Sequence, residues 1–165
     1  MATEIKGSQI RDDTVTGDDV DESTLVLNRF FYTTYTANSS SNKVFIRPVD
    51  VGQVSWDSVN NRFIVPSDGK IKYVLIRSDG TNGPPGSTEI GFHKASDGDR
   101  HLDEDASDTA TEIQTINLST AHTVVKATFS SSATFSANDI IGISVNPTNN
   151  HGRVNVTVVF ELNPF

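Results

Sequence analysis

The chain has 165 residues, of which 35% are hydrophobic, and its 21 acidic residues against 13 Lys and Arg give a net charge of -8. No apolar run reaches the ~18 residues of a membrane-spanning helix, and the chain has no cysteine, which excludes a disulfide framework and a cysteine-ligated zinc site. Because no basic stripe is present to neutralise phosphates, the sequence predicts neither nucleic-acid binding nor attachment to an anionic membrane.

The first 25 residues carry an aliphatic side chain at every fifth position: Ile5, Ile10, Val15, Val20 and Leu25. A helix buries side chains spaced by three and four, and a strand buries every second one, so this period fits neither element. The polar residues in the intervals are mostly Gly, Ser, Thr and Asp, which favour successive turns.

The same segment holds seven acids and two bases, and one aliphatic residue in five is too few to form a core of its own. Two interpretations are open. The segment is either an acidic tail in solvent or an extended arm, residues 1–24, whose four aliphatic side chains dock, together with Leu25, on sister copies or on the surface of a larger assembly. The regular spacing favours docking, because solubility alone does not require it.

From residue 25 onward the apolar residues are mainly Val, Ile and Phe, which favour strands over helices. Turn signals separate short runs of these residues. The predicted strands, in chain order, are 25–36, 43–47, a hairpin over 54–65, then 70–77, 88–94, 112–118, 122–129, 133–136, 139–145 and 152–162. Many short strands at this spacing predict an all-β fold, an antiparallel jelly-roll sandwich over residues 25–165.

The longest predicted loop, residues 95–108, is strongly acidic. Carboxylates at short spacing are the hard oxygen ligands that calcium prefers, but the spacing here does not match an EF-hand, because a glycine separates the first two aspartates and no Glu follows at the twelfth position. A solvated acidic loop is the favoured interpretation. The weaker alternative is a calcium site, with Asp97, Asp99, Asp103 and Asp105 as its candidate ligands.

Residue types used in catalysis are present without the spacing that catalysis needs. The four histidines form no pair at metal-ligand spacing, and no Gly-x-Ser-x-Gly or glycine-rich phosphate-binding motif occurs. No predicted helix exceeds two turns, which excludes the parallel βαβ folds that bind nucleotides. We therefore expect a non-enzymatic protein that uses no cofactor.

Three segments of the predicted sandwich resemble the jelly rolls of the tumour-necrosis-factor and complement-head families. Residues 63–74 resemble their apolar-Pro-x-x-Gly-x-Tyr segment, residues 135–145 their Asp before an alternating penultimate strand, and residues 155–160 their closing strand. Two positions depart from the family pattern: Asn138 stands where Gly is frequent, and Ile71 where an aromatic residue is usual. In the opening segment, Ser8–Thr16 resembles the linker modules of bacteriophage fibres and virion surface proteins.

These resemblances together imply a bacteriophage virion surface protein, made in the host cytoplasm, with a homotrimeric head and a docking arm. The favoured function is capsid decoration (cement), in which the arm binds the major capsid protein or other virion proteins. Trimers suit the threefold positions of an icosahedral shell. The alternative is the receptor-binding head of a phage tail fibre, whose loops contact host surface glycan.

Aromatic residues of the first strand and of the chain's end are the candidates for the trimer interface: Phe30, Tyr32, Tyr35, Phe160 and Phe165. An ordinary place in the sandwich core is an equal alternative for each of them.

Overall fold

The structure is a computed structural model that describes residues 27–36, 43–46, 62–80, 86–96, 110–149 and 153–163. Of residues 27–36, 62 and 153 it describes the backbone alone. These parts of the chain contain ten strands and no helix, which confirms the prediction of an all-β fold.

The strands lie close to the predicted positions. They are β1 (Leu27–Thr36), β2 (Val44–Phe45), β3 (Arg62–Ile64), β4 (Gly69–Ser78), β5 (Gly86–Ala95), β6 (Glu112–Leu118), β7 (Val124–Thr128), β8 (Thr134–Phe135), β9 (Ile140–Pro147) and β10 (Arg153–Leu162). Of the predicted hairpin over 54–65, only the part that contains β3 falls within the described residues.

The described strands form two antiparallel sheets. In the first sheet the order is β1-β10-β4-β7, and β8 also pairs with β4. In the second sheet the order is β2-β9-β5-β6, and β3 also pairs with β9. The two sheets share one hydrophobic core, so the arrangement is that of a β-sandwich.

The core follows from alternation along the strands. In β10, Val154, Val156 and Val158 are buried and belong to the core, while the residues between them are half-buried. Aromatic rings join the two sheets: Phe92 of β5 lies 6.5 Å from Phe135 of β8, measured between ring centroids. Each such buried side chain contributes roughly 1.5–3 kcal/mol through the loss of its contact with water.

A bulge interrupts the pairing of β10 with β4. Val159 pairs with Tyr73, but the next residue, Phe160, pairs with Ile71, so Lys72 is the extra residue of β4. Ile71 and Val74 both face the core. The bulge therefore leaves two consecutive residues, Lys72 and Tyr73, between core-facing neighbours, and it changes which side chains the first sheet presents outward.

Two turns at one end of the sandwich hold each other in place. The Asn138 N–H donates to the carbonyl of Val65, the Val65 N–H donates to the carbonyl of Asp139, and the Ala137 N–H donates to the Asp68 carboxylate at 2.8 Å. Asn138 has φ = 71°, in the left-handed region that Gly and Asn adopt at the lowest cost. Because both residue types adopt this conformation, Asn138 can stand at the position where the tumour-necrosis-factor and complement-head motif often has Gly.

Candidate interaction surface

The outer face of the first sheet is the side turned away from the core. Its side chains come from alternate positions of three neighbouring strands, and the register aligns them in rows. The rows, written from β7 through β4 to β10, are Thr128–Tyr73–Val159, Lys126–Leu75–Thr157 and Val124–Arg77–Asn155, and Lys70 pairs with Glu161 at one end.

The centre of this outer face is apolar. Val159 is only 8% exposed although it lies outside the core cluster, and Tyr73 and Leu75 are half-buried. The Lys126 ammonium lies 4.1 Å from the centroid of the Tyr73 ring, at cation–π distance. A central apolar area with charged residues around it is the usual anatomy of a protein–protein interface.

One end of the outer face carries a compact charged cluster. The Lys70 and Lys72 ammonium groups bind the two carboxylate oxygens of Glu161 at 2.9 and 3.0 Å. Hydrogen bonds first from Lys70 and then from Lys72 lower the pKa of Glu161, and they outweigh the opposite effect of desolvation. At the other end, the Arg77 Nε donates to the carbonyl of His122 at 3.1 Å.

The charge of the outer face is opposite to that of the whole chain. Its described side chains include four cations (Lys70, Lys72, Arg77, Lys126) and one anion (Glu161), a balance of +3. The full chain carries -8. Cations are therefore concentrated on this surface, which favours an acidic partner segment.

The sequence-predicted interface residues fall in different places. Phe160 lies in the core, 2% exposed, with its ring 5.8 Å from that of Phe63 and 5.7 Å from that of Phe135. Its burial is thus accounted for within one chain, the second of the two alternatives above. The backbone register sets Phe30 opposite Val159.

For two of the remaining interface candidates, Tyr32 and Tyr35, the structure describes the backbone alone. Tyr32 pairs with Thr157 and Tyr35 with Val154 along the backbone, and Phe165 lies outside the described residues. Sequence reasoning missed Tyr73, Leu75 and Val159. Alternation along β4 and β10 could have suggested the last two, but the bulge hides the pattern around Tyr73.

A buried histidine–serine pair lies on the outer face of the second sheet. His93 Nε2 and Ser144 Oγ are 2.8 Å apart, and the two residues are 1% and 3% exposed. The Phe45 ring packs 4.8 Å from the imidazole, and a Cβ at Gly91 would meet both Ser144 Oγ and His93 Nε2. Burial, and secondarily the nearby Lys43 charge, lower the pKa of His93 to about 4.

This pair has the residue types of a nucleophile and a base. Nucleophilic catalysis requires that a substrate reach the serine oxygen, and both side chains are almost completely enclosed. We therefore interpret the pair as a structural contact that joins β5 to β9. Glycine at position 91 leaves room for this contact, because a Cβ there would meet both Ser144 and His93.

Other predicted site residues lie outside the described part of the chain. These are the docking candidates Ile5, Ile10, Val15, Val20 and Leu25, and the calcium candidates Asp97, Asp99, Asp103 and Asp105. Within the described ranges, no group of three or more His, Cys, Asp or Glu side chains could hold a metal ion. The same ranges contain no helix long and apolar enough to cross a membrane.

Comparison with known proteins finds no family model that matches the chain and no curated protein that matches it.

Proposed function

We propose that the chain is a non-enzymatic virion surface protein that assembles as a homotrimer, with capsid decoration as its role. The jelly-roll topology in this proposal is supported by the strand order. The last strand lies between β1 and β4, and the penultimate strand lies between β3 and β5. Jelly rolls built from two Greek keys interleave their strands in this way.

The observation that carries the proposal is the outer face of the first sheet. Tyr73, Leu75 and Val159 form an apolar centre that the core does not use, and the register brings the backbone of Phe30 beside Val159. Tyr73 and Leu75 are the half-buried members of this centre, so they supply the area that further copies of the chain would bury. Each Å² of apolar area removed from water contributes roughly 25 cal/mol. The trimer would use the centre of the face, and the charged residues at its ends would form the rim.

In this proposal the work of the protein is mechanical. A trimer that contacts several capsid subunits at once holds them together through buried area. Three weak attachments together bind more tightly than one, because the first to bind raises the effective concentration of the other two at the capsid. The arm, residues 1–24, supplies the attachment through its regularly spaced aliphatic side chains. Each side chain that is buried on the capsid contributes roughly 1.5–3 kcal/mol before the cost of ordering the arm is subtracted.

Two measurements test the proposal. Light scattering of the purified protein is expected to give about three times the chain mass of 17.9 kDa, and a monomer at micromolar concentration contradicts the trimer. Deletion of residues 1–24 is expected to abolish attachment to capsids while the head stays folded by circular dichroism. A truncated protein that still coats capsids contradicts the role of the arm.

The tail-fibre alternative requires the same trimer but a different place on the particle. Labelled protein that decorates isolated capsids supports the cement role, and labelling restricted to tails supports the receptor-binding head.

A further inference from the structure

We infer that the free edge of β6 is a contact surface for a second copy of this chain. The second copy adds its own β6 antiparallel to the first, so that the second sheets of the two copies form one continuous sheet. The contact goes beyond the proposed function, because it uses the second sheet and not the outer face of the first sheet that the trimer would bury. It links neighbouring assemblies to each other.

The backbone of β6 points hydrogen-bonding groups away from its neighbour β5 at every second residue. The Thr148 N–H, just after β9, donates to the Ser87 carbonyl at 2.8 Å, so Ser87 directs its backbone groups away from β6. Ser87 pairs with Asn117, and the direction of these groups alternates along an antiparallel strand. Asn117, Thr115 and Ile113 therefore direct their N–H and C=O groups outward from the edge of the sheet.

This edge is open in the part of the chain that the structure describes. There, β6 is an end strand of the second sheet, and no backbone–backbone hydrogen bond reaches the outward groups of Ile113, Thr115 and Asn117. The side chains of the three residues are exposed, that of Ile113 by 50%. A row of unpaired backbone groups along an end strand is a template for one further strand.

The edge of β6 also lacks the features that usually keep end strands from pairing, which are very short length, charge and proline. Elsewhere in the described structure, β2 and β3 span two and three residues, and β7 carries the exposed Lys126 at its centre. Residues 113–118 of β6 contain neither a charged residue nor a proline. Of these end strands, β6 is thus the one that can accept a partner strand.

A second copy of the chain fits this edge because the outward positions are self-complementary. A twofold axis through Thr115 sets this residue opposite its equivalent, and it sets Ile113 opposite Asn117 of the other copy. All three are outward positions, so the two residues of each facing pair exchange both of their backbone hydrogen bonds. Facing threonines stabilise such a pair, and no like charges meet.

The same pattern argues against a charged partner, because residues 113–118 offer no charge that would select it. One pair of strands buries far less area than a stable interface needs. We therefore expect the contact to be weak in dilute solution and to form above the micromolar range in which the trimer is measured. Copies held side by side on a common surface would form it through their high effective concentration.

Cross-linking through a single thiol tests the contact, because the chain has no cysteine of its own. With a short bismaleimide, we expect Thr115→Cys to give linked dimers on a denaturing gel, in a yield that rises with protein concentration. The control is Ile64→Cys, a position 67% exposed on β3 near the opposite edge of the same sheet, which should give only traces. Equal yields from the two variants, or a yield that dilution does not change, overturn the inference.

Charge variants at the twofold axis test the register. Thr115→Lys and Thr115→Glu each set like charges opposite each other, which should raise the dissociation constant about fivefold. An equal mixture of the two variants sets opposite charges together and should restore association, as measured by sedimentation. If the mixture associates no better than either variant alone, the two copies do not meet at this residue.

Proline substitutions separate the contact from a change of stability. Thr115→Pro removes an outward N–H, which an end strand tolerates, so association should be lost while the urea midpoint stays close to that of the wild type. Gln114→Pro removes an N–H that bonds to β5 and should lower the midpoint clearly. Equal loss of stability in both variants contradicts the outward direction of Thr115. The proposed function has separate outcomes, because its tests use the arm and the first sheet.

Discussion

His93 predicts how the stability of the protein depends on pH. Its imidazole is 1% exposed, and burial lowers its pKa from 6.5 to about 4 in the folded chain. Between these two values the unfolded chain binds a proton that the folded chain does not bind. The stability linked to His93 is therefore fully present above pH 6.5 and is lost as the pH falls towards 4.

The size of the effect follows from the pKa difference of about 2.5. At 1.36 kcal/mol per unit, the free energy of unfolding should fall by about 3 kcal/mol across this window. Urea denaturation at intervals from pH 7.5 to 4 measures it. The variant His93→Gln retains a group that can hydrogen-bond to Ser144 but cannot titrate. Its slope should therefore be flatter by about 1.2 kcal/mol per pH unit midway between the two pKa values of His93.

Two carboxylates also make the free energy of unfolding depend on pH, but over a lower pH range than His93 does. The pKa of Glu161 is lowered by hydrogen bonds from Lys70 and Lys72. For Glu112, desolvation is the largest single effect and raises the pKa, but the hydrogen bonds from Ser130 and Gln114 together outweigh it, so that the pKa is lowered. Both lose their stabilisation only below their ordinary pKa of 4.5. Equal slopes for the wild type and His93→Gln between pH 5 and 6.5 would refute the reasoning.

Substitutions at three further positions test the fold, each by urea denaturation at pH 7. Phe92→Ala should cost about 3–5 kcal/mol, because the ring is fully buried between the sheets; a loss below 1 kcal/mol contradicts its central position. Gly69→Ala should cost about 1–3 kcal/mol, because a Cβ there would meet the Glu161 carbonyl and the Phe135 ring; neutral behaviour would show that the strands can separate. Asn138→Ala should cost about 1 kcal/mol and Asn138→Gly much less, since φ is 71°; equal losses would contradict the left-handed turn.

Strand positions could be predicted from the sequence because they depend on local pattern. The strand predicted at 112–118 has the same bounds as β6, and that predicted at 70–77 differs from β4 by one residue at each end. In both, alternating or continuous apolar residues lie between turn signals, so that the information is contained within the segment itself.

The features that could not be predicted depend on which strands pair. The bulge at Lys72 exists only because β10 lies against β4, and the sequence of β4 alone does not record its neighbour. The His93–Ser144 contact joins residues 51 positions apart. An aromatic residue such as Phe160 could serve the core or an interface equally well, and only the register of its strand decides.

The oligomeric state of a pair of matched variants tests the central claim most directly. Leu75→Glu places a charge in the apolar centre of the outer face of the first sheet, and Ile64→Glu places the same charge on the second sheet at a side chain that is 67% exposed. By light scattering we expect the wild type and Ile64→Glu to have three times the chain mass and Leu75→Glu to be a folded monomer. A Leu75→Glu variant that remains trimeric contradicts the account.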